Sequence, residues 1–352
     1  MDAMLSVRAR NIKAYSAETA LPVKLDANES PYELPAGFKR EVLKEIGRVA
    51  FNRYPDSEGK ALKEALSAYT GVPTNGIALG CGSDELLFLV MQCFLDPGDK
   101  VLLHTPTFSM YSKFAHQCGA GVVEFQAEDL LLDPLLFIEA AQKEKAKLTV
   151  LCNPNNPTGQ YIEADMVGEL AGRCGGMLLV DEAYYEFCGE TAVKLLKKHQ
   201  NLIILRTLSK AFGLAAARVG YLLGNPAVVE AVDRMRAPYN LNTISQAVAC
   251  MVVSNSGTIL KNVQWIMQER ERMRKRLVGL EGVCCLPSRG NFLLVRWEKC
   301  GLALKELKKN GIGVRDFKEK ALADCIRITI GTRQENQKVM EILEALQYGD
   351  EK

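Results

Sequence analysis

Histidine is scarce in this 352-residue chain. The three present, His104, His116 and His199, show no HExxH or comparable spacing. The eleven cysteines include no CxxC pair. A zinc site built from protein ligands is therefore not expected. The cysteine count is odd, and Cys93, Cys152, Cys250 and Cys325 lie in apolar runs. That usage fits buried free thiols in a reducing cytoplasm rather than a disulfide framework. Excess charge of one sign is also missing: 44 Lys and Arg stand against 42 Asp and Glu, a net charge of +2. Neither nucleic acid nor a membrane surface is an expected partner. The longest apolar stretches, such as ELLFLVMQCFL at 85–95, are too short to span a bilayer. The opening MDAMLSVRARNIK has no apolar core, so no signal peptide is expected. There is no internal repeat and no low-complexity linker.

What is present is a core-forming chain, 48% hydrophobic, long enough for two domains. From about residue 60, helical and strand-like patterns alternate. GKALKEALSAYTG (59–71) reads as a helix closed by Gly71, and SDELLFLVMQCFL as a helix with Ser83 as N-cap. Further helices are expected near 109–118 and 163–172. The segments GIALG, KVLLHTP, GVVEF, LTVLCNP, MLLVDEAY, NLIILR and VGYLLG read as strands. This alternation predicts an α/β fold with a mostly parallel sheet covered on both faces. After Pro238, long helical stretches and the strands NFLLVRW and CIRITIG suggest a smaller α+β domain. The expected organisation is an N-terminal arm over 1–35, a large α/β domain over 36–240 and a small domain over 241–352.

Polar residues collect at the carboxyl ends of these strands, where open α/β sheets bind ligands. GIALG runs into CGSDE, whose glycines and helix start could hold an anion or simply make a tight turn. Asn156 follows LTVLCNP, in a turn that would suit an asparagine anyway. Asp181 ends the apolar run MLLV, and a carboxylate entering a buried position needs a partner; a helix-cap role is the alternative. Tyr184 follows. Lys210 lies in TLSKAFGLAAARVG, between the hydroxyls of Thr207 and Ser209 and the guanidinium of Arg218. Singly these are ordinary features. Together they supply a lysine able to form a Schiff base, an acid to hold a pyridine nitrogen protonated, and a phosphate cradle. Those are the requirements of pyridoxal 5'-phosphate.

The motifs LDANESPY (25–32), RYPD (53–56), GSDE (82–85), PTFSMY (106–111), NPNNPTG (153–159), VDEAYYEF (180–187), RTLSKAFGLAAARVG (206–220) and IRITIGT (326–332) occur in this order. In them the chain resembles the fold-type-I pyridoxal-phosphate aminotransferases, most closely the histidinol-phosphate branch. The resemblance covers nearly the whole length. It implies a large cofactor domain with a smaller C-terminal domain, and transamination between L-histidinol phosphate and 2-oxoglutarate in histidine biosynthesis. It implies that Lys210 carries the cofactor and moves protons, that Asp181 partners the pyridine nitrogen, and that Asn156 and Tyr184 donate to the ring's phenolic oxygen. Ser83, Asp84, Thr207, Ser209 and Arg218 resemble the phosphate cup, and Phe108 the ring-stacking residue. Tyr54 resembles the tyrosine that reaches the neighbouring subunit's phosphate, which implies a homodimer. Arg327 resembles the carboxylate-binding arginine and Arg315 a second anion ligand. Tyr15 and Asn28 resemble residues of the substrate mouth.

Three positions depart from the family pattern. Phe108 stands where tyrosine is usual, Cys81 where asparagine is common, and the arm reads IKAYSAETALP. Aromatic aminotransferases and threonine-phosphate decarboxylases share the motifs. A regulator of the same superfamily would need a DNA-binding domain ahead of LDANE, and none is expected here.

Overall fold

The computed structural model describes residues 4–6, 10 and 21–348. Among the described residues, twelve strands form two sheets: β1 (Val23–Leu25), β2 (Ile77–Cys81), β3 (Lys100–Thr105), β4 (Gly121–Gln126), β5 (Leu148–Cys152), β6 (Met177–Asp181), β7 (Leu202–Thr207), β8 (Val219–Gly224), β9 (Cys284–Cys285), β10 (Phe292–Arg296), β11 (Ile312–Asp316) and β12 (Cys325–Thr329).

The large sheet has the order β2-β8-β7-β6-β5-β3-β4, and β8 alone runs against its neighbours. Its central strands are mostly apolar and almost wholly buried because both faces are covered. Along β7, Leu202 and Ile204 join one core, with Leu62, Phe137, Val167 and Val252 from helices on that side. Ile203 and Leu205 join the other, with Leu86, Val90, Ala115 and Val232. Successive strand residues point to opposite faces, so two cores sandwich one sheet. Each fully buried Leu or Ile stabilises the fold by roughly 1.5–3 kcal/mol relative to exposure. The small sheet has the order β1-β11-β12-β10-β9. The helices Lys261–Leu277, Cys300–Lys309 and Arg333–Tyr348 belong to this region, and residues of the first two, with Val339, Met340 and Leu343 of the third, share its core with the sheet. Among the described residues, no single helix is long and apolar enough to cross a membrane.

Several elements differ from the sequence reading. The helix Thr243–Ser254 falls after the expected domain boundary, yet Val248, Ala249 and Val252 pack in the large-domain core. Strand β1, placed in the arm by its sequence, pairs with β11 of the small sheet, Val23 opposite Ile312. Ser83 is not the N-cap: Gly82 holds that position with φ 81°, and Ser83 is the first helical residue. The helices Pro134–Glu144 and Pro226–Met235 also go beyond the reading. Both open with a side-chain cap followed by proline, Asp133-Pro134 and Asn225-Pro226, a start signal legible in the sequence.

Candidate active site

Parallel strands bring their carboxyl ends to one edge of the sheet. β8, being antiparallel, begins at that same edge: Val219 lies opposite Cys81 and Gly220 opposite Thr207. This reversal places Arg218, the residue before β8, beside the ends of β2 and β7. Arg218 has a left-handed backbone (φ 52°), and its Nη2 lies 3.4 Å from Asp84 Oδ2. A Cβ on Gly82 would fall 2.4 Å from that same nitrogen. A Cβ on Gly220 would fall 2.3 Å from the Ser83 backbone nitrogen. Glycine at both positions lets the start of the helix Ser83–Phe94 approach the neighbouring strand. Glu85 reaches back to accept from the Cys81 N–H of β2 at 2.6 Å, while no side chain caps the helix, so its first N–H groups stay open to a ligand. At Cys81 the exposed thiol takes no part in this contact; the backbone does the work.

Ser209 completes the cradle. Its Oγ is buried with no hydrogen-bond partner among the described residues, and its N–H donates to Thr207 Oγ1 at 3.1 Å. A buried hydroxyl without a partner is costly unless something else meets it. Helix N–H groups, this hydroxyl and the Arg218 guanidinium together suit a phosphate.

Asp181 ends β6 and is buried. Its carboxylate accepts from the Tyr111 hydroxyl at 2.7 Å and from the Ala183 N–H at 3.0 Å. Burial nevertheless raises its pKa to about 6, against the pull of the Tyr111 hydrogen bond. A carboxylate so placed favours a cationic N–H partner. Tyr111 was not singled out as a site residue from the sequence, although it closes the PTFSMY motif. Phe108, half-buried, meets the Tyr111 ring edge-on at 5.5 Å.

Lys210 Nζ donates to the Ala27 carbonyl at 2.7 Å. Desolvation first, and the nearby Arg327 charge second, lower its pKa to about 8. The segment after β1 therefore forms one wall of the site. Asn28, with φ 54°, donates through Nδ2 to the Tyr184 hydroxyl at 2.9 Å, which leaves the hydroxyl hydrogen for another acceptor. Thr329 and Asn291 lock Asn28 in place: Thr329 Oγ1 donates to Asn28 Oδ1 at 3.0 Å and Asn291 Nδ2 donates to its carbonyl at 3.0 Å. Arg327 donates to Asn156 Oδ1 at 2.5 Å and to the Asp26 carbonyl. The Asn156 amide nitrogen is then free to donate into the site. Arg315, half-buried on β11, lies directly opposite Arg327 on β12.

The structure thus gathers Lys210, Asp181, Tyr184, Asn156, Asn28 and Arg327, with Ser83, Asp84, Thr207, Ser209 and Arg218 at the cradle and Arg315 alongside. Tyr54 is not brought to this site within the chain. It is 81% exposed and stacks on Tyr239 at 4.5 Å. Tyr15 lies outside the described residues.

A lysine of lowered pKa, a buried carboxylate and an anion cradle at the strand ends of a seven-stranded sheet define a class of protein. The chain belongs to the aminotransferase class I and II family, whose model matches residues 22–343. Among individual relatives, it is 39% identical over 347 residues to the histidinol-phosphate aminotransferase of Caldanaerobacter subterraneus subsp. tengcongensis, covering 97% of each chain. It is 40% identical over 329 residues to the one from Thermoanaerobacter pseudethanolicus, covering 92% of each. The solved histidinol-phosphate aminotransferase from Sinorhizobium meliloti, in complex with pyridoxal-5'-phosphate, aligns with a TM-score of 0.88 at 25% identity over 98% of both chains. The expected fold-type-I architecture stands.

Proposed function

We propose that this chain catalyses transamination between L-histidinol phosphate and 2-oxoglutarate, giving imidazole-acetol phosphate and L-glutamate in histidine biosynthesis, with pyridoxal 5'-phosphate as cofactor. The observation that carries the reading is that Arg315 lies directly opposite Arg327 on the small sheet, and that the Arg327 charge reaches Lys210. The whole-chain similarity to histidinol-phosphate aminotransferases supports it.

The residues present fit the cofactor. The unpartnered Ser209 Oγ, the Ser83 N–H and Arg218 suit its phosphate, and buried Asp181 suits a protonated ring nitrogen. When bound, the group supplies an aldehyde for amine exchange and a ring that accepts the electrons left at the substrate Cα. Lys210 holds the cofactor and carries the proton at Cα; a pKa near 8 leaves a useful fraction of neutral amine at physiological pH. Tyr184 and the Asn156 amide would donate to the ring oxygen, and Phe108 would pack against the ring. Asn28 borders the substrate, and the family resemblance assigns Tyr15 the same role. Arg327 takes the glutamate carboxylate, and Arg315 adds the second charge a phosphate dianion favours.

The active unit in this reading is a cytoplasmic homodimer. Tyr54, 81% exposed, forms with Tyr239 an aromatic surface that a second copy would cover. Tyr54 then reaches the partner's phosphate cradle. Assaying the purified protein with histidinol phosphate and with phenylalanine, each against 2-oxoglutarate, tests the reading. A preference for phenylalanine would replace it with a broad aromatic aminotransferase.

A further inference from the structure

Behind the site lies a buried polar cluster that takes no part in the chemistry above. Arg206 and Glu182 each expose only 2% of their side chains. Arg206 donates to Glu182 Oε2 through Nε at 3.0 Å and Nη2 at 2.8 Å. The same Nη2 donates to Thr191 Oγ1 at 2.7 Å, while the Thr191 hydroxyl and the Ala192 N–H both donate to the Glu182 carboxylate, at 2.8 Å and 2.7 Å. The guanidinium also lies over the Tyr185 ring, its Cζ 3.6 Å from the ring centre.

The location of this pair matters more than its strength. The ladder between β6 and β7 ends at Asp181 opposite Leu205, and the Glu182 N–H to Leu205 carbonyl bond, 2.8 Å, follows it. Beyond this point backbone pairing no longer ties the two strands. Yet the cofactor site is built from what immediately precedes and follows: Asp181 before Glu182, and Thr207, Ser209 and Lys210 after Arg206. Each end stays laddered on its outer side, Asp181 to Cys152 of β5 and Thr207 to Gly220 of β8, so beyond Leu205 it falls to side chains to fix one end against the other. A buried ion pair adds little net stability compared with apolar side chains of the same volume, because desolvating two charges offsets their attraction. Its retention here calls for a geometric reason.

We propose that the Arg206–Glu182 pair, braced by Thr191 and Tyr185, is a positioning clamp that fixes the carboxyl end of β6 against that of β7 and so sets Asp181 relative to Lys210 and Ser209. Neither residue touches substrate or cofactor; both act through their chain neighbours. The clamp requires a cofactor site at Asp181 and Lys210 but does not depend on which amino donor the enzyme prefers.

The test replaces the pair by apolar side chains of similar length, Glu182→Met with Arg206→Met. This removes both charges of the pair together, and the buried Glu186 carboxyl, already raised to about 7 by desolvation, loses the Arg206 charge that favours its ionised form and stays protonated rather than standing as a lone ion. The expected result is a melting temperature at or above that of the wild type, a kcat lower by about 10- to 100-fold and a KM within about twofold, because displacing reacting groups by around 1 Å costs rate more than binding. The visible band of the bound cofactor, recorded without substrate, should titrate with its midpoint moved by more than about half a pH unit, since that midpoint reads the surroundings of Lys210. A folded double variant with unchanged kcat and unchanged band midpoint would overturn the clamp. Should the double variant not fold, Thr191→Val decides. It keeps the shape of the side chain and removes only the hydroxyl that bridges the pair, and it should lower kcat about two- to fivefold with the same shift in band. No change in either would overturn the proposal. The band and the glutamate half-reaction are read even if wild-type enzyme ignores histidinol phosphate, so a wrong substrate and a wrong clamp give different results.

Discussion

Arg315 and Arg327 face each other across β11 and β12. Like charges directly opposite in a sheet are destabilising, by roughly 0.2–1 kcal/mol. Arg327 is held by Asn156 and the Asp26 carbonyl, whereas Arg315 forms no ion pair among the described residues. The arrangement suits a dianion that neither arginine alone would satisfy. A buried charge-assisted contact of this kind contributes roughly 1.5–3 kcal/mol. Arg315→Ala should therefore lower kcat/KM for histidinol phosphate by about 10- to 100-fold and change it much less for glutamate. Equal losses for both substrates would mark Arg315 as a packing residue of the small domain.

Asp181 makes a prediction about stability as well as rate. Its folded pKa, about 6, is raised from 3.8 by burial. The folded apoenzyme therefore binds more protons than the unfolded chain between these values, and its stability falls as pH rises through that window. Asp181→Asn removes the penalty. Cofactor-free Asp181→Asn should be more stable than cofactor-free wild type at pH 7.5, by on the order of 2–3 kcal/mol, and nearly equal to it at pH 4. Turnover should move the other way. Losing the partner of a buried charge costs about 3–5 kcal/mol, so the loaded variant should slow by roughly two to three powers of ten. Melts of the apoprotein that show the same difference at both pH values would remove the electrostatic account.

Much of this site is legible in the sequence because its residues sit at strand ends, where apolar runs stop abruptly. Asp181 after MLLV and Lys210 after NLIILR are visible for that reason. Arg218 is visible only as a motif residue; the antiparallel course of β8 that delivers it depends on pairing across the sheet. Tyr111 looks like a core residue on an amphipathic helix, and it is one, with its hydroxyl alone turned to Asp181. The wall made by Ala27 and Asn28 is harder still. It depends on β1 joining the small sheet beside β11, a pairing nearly 290 positions away that no local periodicity carries. The allegiance of Thr243–Ser254 is hidden for a related reason: it has the apolar pattern of any core helix, and only packing decides which core it enters.

Lys210 should show its lowered pKa directly. Neutral amine is the reactive form, so cofactor capture by the apoenzyme should speed up with pH and level off above a midpoint near 8, rather than near the 10.5 of an ordinary lysine. Arg327 is the second cause of the shift. Arg327→Ala should move the midpoint upward, while burial keeps it below that of an exposed lysine. Stopped-flow capture rates at several pH values read this, and borohydride reduction followed by peptide mapping should find the pyridoxyl group on Lys210. Attachment to another lysine would sink the central assignment.

Tyr54 offers the sharpest test of the shared site. Within one chain it stacks on Tyr239 in open solvent and makes no hydrogen bond to Lys210, Ser209 or Arg218. If its hydroxyl serves the cradle of a second copy, each site of a homodimer draws Lys210 from one chain and Tyr54 from the other. Tyr54→Ala and Lys210→Ala homodimers should each be impaired at both of their sites. A hybrid of the two has one site with both defects and one with neither. Random exchange of equal amounts makes half the dimers hybrid, so recovered activity should approach about a quarter of wild type. Native mass spectrometry would verify that subunits have exchanged. Exchange without recovery would mean that each site is complete within its own chain, and the exposed aromatic pair would then need another role.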